Sequence, residues 1–324
     1  MTDAVVEIKG LKTHFFTEEG IVKAVDGVDL EIQPGETLGL VGESGCGKTI
    51  TAKSILRLIP DPPGKIVAGE IYFQGLDLLH LDKTRLRKEI RGNRISMIFQ
   101  DPMTSLNPVY TVGNQVSEPF RIHRGMNVKE AMKESTSILR RVGIPSPERM
   151  VMEYPHRYSG GMRQRVMIAM ALACQPSLLI ADEPSTALDV TIQAQILELM
   201  KTLKEDLDTA ILLITHNLGV VAEMADRIAV MYAGHMVETC SAESFFDDPA
   251  HPYSTGLLNS FPGMASREGR LTPIPGSIPD MVHPPLGCRF HPRCSQVMSR
   301  CRESFPPMVF LKDDHQVRCW LYAQ

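Results

Sequence analysis

The segment that most constrains this chain is "GESGCGKT", residues 42–49, because it stands between a strand-like and a helix-like run. Residues 37–41 are predicted as a strand and residues 48–58 as a helix. The spacing fits G-x-x-x-x-G-K-[ST], in which glycines turn backbone N–H groups towards a phosphate and the following helix N-terminus adds a favourable dipole. Lys48 would then reach the outer phosphates, and the Thr49 hydroxyl would bind Mg²⁺. An incidental glycine-rich turn is the alternative, which the flanking strand and helix disfavour.

A second segment, "LLIADE" at residues 178–183, ends a buried strand with two carboxylates. Asp182 would hold Mg²⁺ through its water shell, and Glu183 would orient an attacking water or accept a proton from it. The alternative is an acidic strand end that caps the next helix. Together with the glycine-rich loop, this segment predicts hydrolysis of a nucleoside triphosphate, or switching driven by one.

The order of apolar runs predicts an α/β fold. Further strand-like runs occupy residues 4–9, 27–33, 66–73, 95–99, 177–181 and 210–215. Helix-like runs occupy residues 128–142, 160–173 and 190–206. Strands that alternate with helices indicate a parallel sheet covered on both faces, and residues 101–158 indicate a mostly helical insertion.

The segment "YSGGMRQR", residues 158–165, places a serine and two glycines at the start of a helix. This arrangement is a second anion-binding helix N-terminus. Because one nucleotide needs only one phosphate loop, the additional site suggests a second nucleotide presented by another subunit. A serine N-cap followed by a flexible glycine pair remains the alternative.

Composition and charge exclude several classes of protein. The chain has 34 basic and 38 acidic residues and a net charge of −4, with no long basic run, so we expect no nucleic-acid partner. Its first residues lack a basic stretch followed by an apolar one, and no apolar run approaches the roughly 20 residues of a membrane span. We therefore expect no signal peptide, no membrane span and a cytoplasmic location, where structural disulfides are rare.

Taken in order, these segments resemble those of the ATP-binding cassette (ABC) ATPases, and the resemblance covers residues 5–234. Residues 42–49 resemble the Walker A loop, residues 178–182 the Walker B strand, and residues 158–162 the family signature. The resemblance implies a P-loop NTPase with a parallel-sheet core, an antiparallel β subdomain and a helical subdomain, plus a small C-terminal cysteine-containing extension.

The resemblance also assigns single positions. Gln100 corresponds to the Q-loop glutamine, and residues 186–189 correspond to the D-loop. His216 corresponds to the switch histidine, and Phe15 corresponds to the aromatic residue that stacks on adenine. The implied catalytic residues are Glu183, His216, Lys48 and Gln100. The implied ATP contacts are Phe15, Gly42, Glu43, Ser44, Gly45, Cys46, Gly47, Lys48, Thr49, Ile50, Gln100, Asp182, Ser159, Gly160, Gly161 and Asp189. The implied Mg²⁺ ligands are Thr49, Gln100 and Asp182.

Two segments are similar to one subgroup of this family, the ATPases of peptide and nickel importers: "SGGMRQR" and "DDPAHPYSTGLL" at residues 247–258. The similarity implies a nucleotide-binding domain at residues 1–245, whose helical subdomain spans about 101–175, and an oligopeptide-importer extension at 246–324. We expect an ATP-hydrolysing subunit that couples ATP to uptake of dipeptides or oligopeptides. A nickel or small-solute importer is the first alternative, and a soluble ABC protein acting on ribosomes or DNA is the second.

The resemblance implies partners as well. ABC ATPases resemble clamps, in which two cassettes enclose two ATP molecules. The expected partners are two integral membrane permease subunits, a second ATPase subunit of the same or another chain, and indirectly an extracytoplasmic peptide-binding protein. The chain would then act on the cytoplasmic face of the membrane.

Four cysteines lie near the end of the chain with the spacing C-x₅-C-x₆-C-x₁₇-C, at Cys288, Cys294, Cys301 and Cys319. Zinc ribbons use paired C-x₂₋₄-C knuckles, which this segment lacks, whereas a [4Fe–4S] cluster needs four thiolates and tolerates varied spacing. Some members of the peptide-importer subgroup carry such a cluster. We expect a [4Fe–4S] site that staples the Pro-rich tail, with zinc or free thiols as the alternatives.

Overall fold

The computed structural model describes residues 4–100, 105–184, 189–261, 273–312 and 314–323. Its strands are β1 (Val6–Thr17), β2 (Gly20–Ile32), β3 (Thr37–Val41), β4 (Gly64–Phe73), β5 (Leu76–Asp77), β6 (Ile95–Ile98), β7 (Leu178–Asp182), β8 (Ala210–Ile214), β9 (Arg227–Tyr232), β10 (His235–Ser241), β11 (Val309–Lys312) and β12 (His315–Val317).

Its α-helices are α1 (Lys48–Ile55), α2 (Lys83–Arg85), α3 (Val112–His123), α4 (Val128–Arg141), α5 (Pro147–Met150), α6 (Gly160–Leu172), α7 (Val190–Leu207), α8 (Leu218–Met224), α9 (Ala242–Asp247), α10 (Pro252–Asn259) and α11 (Ser299–Glu303). Single helical turns of other types lie at Leu86–Ile90, Pro155–Arg157 and His291–Arg293.

The chain divides into two compact units. The first unit comprises Met1–Ile32, Glu36–Leu79 and Leu213–Gln324, and the second comprises Gln33–Gly35 and His80–Leu212. The C-terminal segment therefore belongs to the same compact unit as the phosphate loop. The division into domains at residue 245 stays a prediction.

An antiparallel sheet in the first unit has the strand order β2-β1-β4-β5. Between residues 4 and 33 the sequence predicted only two short strands, at 4–9 and 27–33, but β1 and β2 form one long hairpin joined at Thr17 and Gly20. Irregularities in register near Leu11 and Thr13 interrupt the alternation of side chains. A broken alternation conceals a strand from a period-two pattern, which explains why the sequence underestimated this hairpin.

A second group of strands in the first unit has the order β11-β12-β10-β9-β3. β3 is parallel to β9, and β9, β10, β12 and β11 are joined by antiparallel pairings. The C-terminal strands β11 and β12 therefore continue the sheet that carries β3, the strand that leads into the phosphate loop. No strand was predicted in this part of the tail.

The core of the first unit also includes the C-terminal segment. Val41 at the end of β3 and Val230 in β9 share one buried cluster with Tyr253, Leu258 and Phe290. Each of these side chains is less than 8% exposed. Burial of apolar surface from both parts stabilises them as one structure.

The second unit contains β6 and β7, which are parallel with Ile95 opposite Leu178. Helices α3 and α4 pack against each other, and both contact α6. Helix α4 begins with a capping box in which Asn127 and Glu130 satisfy each other's backbone N–H groups. These elements confirm the predicted α/β fold and the helical stretch near residues 128–142.

Among the described helices, none combines the length and the apolar character needed to cross a bilayer.

Candidate functional site

The phosphate loop, residues 42–49, connects β3 to α1, and its shape requires glycine at two positions. Gly47 caps α1 with φ 111°, and a Cβ there would collide with the carbonyl oxygen of Ala24. Gly42 has φ 148°, and a Cβ there would collide with the carbonyl oxygen of Met231. At both positions the backbone is left-handed and another strand approaches closely. Only glycine fits there without strain, which explains the two glycines of the sequence pattern.

Lys48 lies inside the curve of this loop. Its Nζ donates to the carbonyl oxygens of Gly42 at 2.7 Å and Glu43 at 3.0 Å, and the residue is only 7% exposed. Ser44 and Gly45 form the exposed tip. A single ammonium thus sits at the centre of a ring of backbone groups, which is the arrangement that the phosphate-binding prediction needs.

The remaining residues of the loop face in different directions. The Cys46 thiol is fully buried, and burial raises its pKa above the usual range in spite of the nearby Lys48 ammonium. Cys46 therefore offers its backbone, not its side chain, to a ligand. Thr49 and Ile50 are half-buried in the first turn of α1.

Glu43 directs both of its polar ends towards the C-terminal segment. Its backbone N–H donates to the Tyr253 hydroxyl at 2.8 Å. Its carboxylate accepts two hydrogen bonds from Arg293, at 2.6 and 3.0 Å. The direct contact between Glu43 and ATP stays a prediction.

In the second unit, β7 ends at the two predicted carboxylates. Asp182 is the last residue of the strand and is 3% exposed, while Glu183 has a left-handed backbone with φ 50°. This conformation is uncommon for a residue with a side chain and is found at functional sites. Gln100 Nε2 donates to Glu183 Oε2 at 2.9 Å. The structure therefore brings together two residues that were predicted as catalytic 83 positions apart.

The signature turn, residues 158–161, starts α6 as predicted. Ser159 is the N-cap and its hydroxyl accepts from the backbone N–H of Met162 at 3.3 Å. Ser159 and Gly160 are exposed. A Cβ on Gly161 would lie 2.7 Å from Cγ2 of Ile192, so this position needs a small residue. The turn thus presents a serine and backbone N–H groups to solvent.

Tyr158 stands where the family usually has leucine, and the structure explains why the position tolerates it. The ring is 3% exposed and the hydroxyl donates to the carbonyl oxygen of Met150 at 2.7 Å. Burial raises the pKa of Tyr158 to about 12. The side chain is an internal support of the turn and leaves the serine and glycines in place.

Asp189 is the N-cap of α7, where its carboxylate accepts from the backbone N–H of Ile192 at 2.9 Å. The rest of the predicted D-loop, residues 186–188, lies outside the described residues. Gln164 of α6 donates to the carbonyl oxygen of Pro184 at 2.5 Å. This bond connects the signature helix to the residue that follows Glu183.

His216 and Phe15 occupy the predicted kinds of position. His216 is exposed in the turn between β8 and α8, directly after a buried strand. Phe15 is half-buried in β1, with its ring against Gly64 and close to Ile59. Their contacts with a nucleotide stay predictions.

The four C-terminal thiols lie close enough to affect one another. The pKa of Cys288 is raised to about 11, chiefly by burial and also by the neighbouring thiols of Cys301, Cys319 and Cys294. Burial likewise raises the pKa of Cys319 to about 11. The backbone N–H of Cys288 donates to the carbonyl oxygen of Cys301 at 2.9 Å.

A different set of residues forms the tightest group of ligand-type side chains in the described part of the chain. Glu238, Cys240 and His315 lie within 4.8 Å of one another and are buried. The Glu238 carboxylate accepts from His315 Nε2 at 2.7 Å and from the backbone N–H groups of Ala250 and His251 at 2.7 and 2.9 Å. Because these bonds already satisfy the carboxylate, the group joins β10 to β12 and α10 without a metal ion.

Sequence reasoning missed Tyr253 and Arg293 as neighbours of the phosphate loop. Although both arginines lie beside the cysteines in sequence, Arg293 pairs with Glu43, and Arg289 pairs with Asp26 at 2.6 Å. No local pattern connects residues so far apart. The only local indication that this segment packs against the rest of the protein was the mixture of arginines and apolar residues around the cysteines.

Two family models match the chain. One, described as ABC transporter, matches residues 25–186, and the other, described as Oligopeptide/dipeptide transporter, C-terminal region, matches residues 237–301. The second match begins within β10 and includes Tyr253 and Arg293.

Curated proteins and solved structures give the same picture. The oligopeptide transport ATP-binding protein OppD of Bacillus subtilis (strain 168) is 53% identical, over 98% of this chain and 88% of that protein. The dipeptide transport ATP-binding protein DppD of the same organism is 50% identical, over 99% and 96%. The dimeric structure of a post-hydrolysis state of the ATP-binding cassette MJ0796 bound to ADP and Pi superposes with a TM-score of 0.65 at 30% identity, over 73% of this chain and 98% of that one.

Proposed function

The chain belongs to the ATP-hydrolysing subunits of the ABC transporter family, in its oligopeptide and dipeptide branch, and from this membership we propose that it drives peptide uptake with the residues described above. The phosphate loop, residues 42–49, binds the phosphates of ATP through its backbone N–H groups. Lys48 neutralises charge that develops on the outer phosphates. Phe15 stacks on the adenine.

The observation that carries the catalytic assignment is the 2.9 Å hydrogen bond between Gln100 Nε2 and Glu183 Oε2. A carboxylate at a strand end can orient the attacking water and accept its proton, and a glutamine bound to that carboxylate can report on its state. His216 senses the γ-phosphate.

The residues present fit a magnesium ion, because a hydroxyl at a helix start and a buried carboxylate at a strand end are oxygen ligands of the kind that Mg²⁺ prefers. Thr49 and Asp182 would hold the ion, with Gln100 beside it. When bound, Mg²⁺ supplies positive charge at the phosphates.

A second ATPase subunit completes the active arrangement. Ser159 and Gly160 are exposed at the start of α6, and Asp189 is exposed at the start of α7, so they are available to the nucleotide of another cassette. The MJ0796 cassette is described as a dimer bound to ADP and Pi, which supports the same arrangement here. Two integral membrane permease subunits and a peptide-binding protein on the far side complete the transporter, and this chain acts on the cytoplasmic face.

Peptides are the substrate class that the relatives favour. OppD and DppD are named for oligopeptide and dipeptide transport, and the match over residues 237–301 is described in the same terms. A nickel importer is not favoured by these names, and a soluble protein acting on ribosomes or DNA has no support among them. Uptake of a labelled dipeptide and of ⁶³Ni²⁺ in a strain that depends on this subunit separates peptide from nickel.

The cysteine segment supports a [4Fe–4S] cluster over zinc. A single zinc ion at about 2.3 Å from each sulfur would bring the thiolates to within about 3.8 Å of one another. Among the described residues, no three of these cysteines have sulfurs that all lie within 4.8 Å. The thiols of Cys294, Cys301 and Cys319 lie near enough to Cys288 to raise its pKa, and four thiolates are the ligand set of a four-iron cluster. When bound, such a cluster cross-links four positions of the tail.

Metal analysis tests this proposal. Anaerobically purified protein should contain about four irons and four sulfides per chain, and Cys319→Ser should lose them. Cys174→Ser, which changes a cysteine of the second unit, is the matched control and should retain them. About one zinc per chain and no sulfide would contradict the cluster.

The ATPase assignment is tested with Glu183→Gln in the assembled transporter. Hydrolysis should fall by about 10²–10³-fold because the water loses its proton acceptor, while ATP binding stays within about twofold. Glu205→Gln changes an exposed carboxylate on α7 and should leave the rate unchanged. Hydrolysis at the normal rate in Glu183→Gln would refute the role of Glu183.

A further inference from the structure

The phosphate loop is held by a clamp from the C-terminal segment. Arg293 Nη1 donates to Glu43 Oε2 at 2.6 Å, and Nη2 donates to Glu43 Oε1 at 3.0 Å. Two parallel bonds between a guanidinium and a carboxylate fix direction as well as distance. Glu43 is the second residue of the loop. The ion pair with Arg293 therefore fixes the position of the Glu43 side chain at the start of the turn.

The guanidinium cannot easily follow a moving loop, because the rest of Arg293 is fixed. Its Nε donates to the carbonyl oxygen of Pro275 at 2.8 Å, and its side chain is 5% exposed. The guanidinium also lies 5.8 Å from the ring centre of Tyr232 in β9. The hydrogen bonds to Glu43 raise the pKa of Arg293, so the fork stays charged.

Tyr253 holds the backbone of the same residue. Its hydroxyl accepts from the Glu43 N–H at 2.8 Å, and its ring is fully buried. The ring packs against Tyr232 and Phe290, with centroid distances of 4.6 and 5.4 Å. Phe290 lies between Cys288 and Arg293 in sequence, so the aromatic cluster joins the cysteine segment to the hydroxyl that holds the loop.

A second strut reaches the other end of the loop. Arg289 donates to the carbonyl oxygen of Ala233 at 2.5 Å and to Asp26 at 2.6 Å. Gly234, which follows Ala233, donates its backbone N–H to the carbonyl oxygen of Cys46 in the loop at 2.9 Å. The C-terminal segment therefore supports the loop near both of its ends.

We propose that Arg293 and Tyr253 are positioning residues for ATP: the C-terminal segment holds Glu43 so that the phosphate loop is preformed, and ATP affinity depends on this clamp. The proposal rests on the proposed function, because it takes residues 42–49 as the ATP site. Arg293 is adjacent to Cys294, so the folding of the four-cysteine segment determines whether the guanidinium is in place. A loop that must be ordered by its ligand binds more weakly than one that is already ordered.

The experiment measures KM and kcat for ATP in the assembled transporter, with ATP binding measured directly in parallel. Arg293→Ala should raise KM for ATP roughly tenfold and change kcat less than about threefold, because the loop loses preorganisation before chemistry. Tyr253→Phe keeps the buried ring and removes only the hydroxyl, so it should raise KM by roughly threefold without a change in folding. Arg293→Lys keeps the charge but loses the fork, and its KM should lie between those of Arg293→Ala and the parent.

A double variant separates the clamp from a general loss of structure. Combining Glu43→Gln with Arg293→Ala should raise KM no further than the worse single variant, because both changes remove one interaction. Multiplied effects would show that Arg293 acts elsewhere and would overturn the proposal. Arg300→Ala is the matched control, because the Arg300 guanidinium stacks 3.6 Å from the ring centre of Trp320 within the cysteine segment.

Two further measurements distinguish failure of the clamp from failure of the ATP site. They are the metal content of each variant and ATP binding by Lys48→Ala. Unchanged KM in both Arg293→Ala and Tyr253→Phe, with ATP binding abolished in Lys48→Ala, would overturn the clamp and leave the ATP site intact. Unchanged ATP binding in Lys48→Ala would overturn the ATP site itself. If Arg293→Ala loses its metal or its fold, Tyr253→Phe and the single variant Glu43→Gln decide the question, since neither changes a residue of the cysteine segment.

Discussion

The phosphate loop and the signature turn both place glycines at the start of a helix, yet the protein supports them in opposite ways. The phosphate loop is enclosed: Gly42 and Gly47 lie against other strands, and Glu43 is held by residues from the C-terminal segment. The signature turn is exposed and depends on a local cap, the hydroxyl of Ser159. This difference agrees with the proposed function, in which the enclosed loop keeps its shape for its own nucleotide and the exposed turn is available to another subunit.

The largest expected effect is a loss of stability when an enclosed glycine of the phosphate loop is replaced. Gly47→Ala should lower the free energy of unfolding by about 3 kcal/mol or more, because the new Cβ combines a left-handed backbone with a collision at Ala24. Gly45→Ala is the matched control, since Gly45 has φ 83° but no atom within 4 Å of a Cβ, and should cost about 1 kcal/mol. Urea unfolding measures both, and equal losses would show that the enclosure of the loop does not matter.

An intermediate effect should appear on acidification. Burial lowers the pKa of His251 to about 3, and its Nδ1 accepts from the Tyr253 N–H at 3.0 Å. Since the folded pKa lies below the ordinary 6.5, its contribution to stability is present above pH 6.5 and is lost as pH falls towards 3. The loss should be on the order of a few kcal/mol.

Hydrogen exchange between pH 6.5 and pH 4 locates this loss. Amides of the phosphate loop and α10 should lose protection in the parent protein and retain more of it in His251→Asn, which keeps an acceptor without the titration. His156→Asn, at an exposed histidine in the second unit, is the control. Equal loss in the parent and in His251→Asn would remove His251 as the cause.

The smallest expected effect belongs to the signature turn. Ser159→Ala should lower the free energy of unfolding by only about 1 kcal/mol, because it removes one N-cap bond. Hydrolysis by the assembled transporter should fall much more than stability does, because we propose that the serine contacts the second nucleotide. Thermal unfolding and ATPase rates on the same preparation test this, and parallel losses would mean that Ser159 is only a cap.

The elements with a regular local pattern were the ones that the sequence predicted well. Helix α6 was expected at residues 160–173 and runs from Gly160 to Leu172, and the strand expected at 210–215 runs from Ala210 to Ile214. The glycine-rich loop was also predictable, because the glycines that its backbone requires lie close together in the sequence.

The features that escaped prediction depend on partners far away in the chain. The strands β11 and β12 have four and three residues, too few for a period-two pattern, and they form because β10 offers a free edge. The pairing of Glu43 with Arg293 joins residues 250 positions apart, and neither has a local signal for the other. The hydrogen bond from Gln100 to Glu183 was not predicted, since the family resemblance assigned a catalytic role to each residue but no contact between them.

The clamp on Glu43 also has a consequence for biosynthesis. Because 250 positions separate Glu43 from Arg293, a ribosome adding about 5–20 residues per second exposes an unclamped loop for roughly 12–50 s. During that interval the nascent chain already contains every residue of the loop but lacks the guanidinium that fixes its first turn. On the proposed role of this clamp, a chain interrupted before this point would carry a weak nucleotide site, and ATP binding would wait until the cysteine segment had been made.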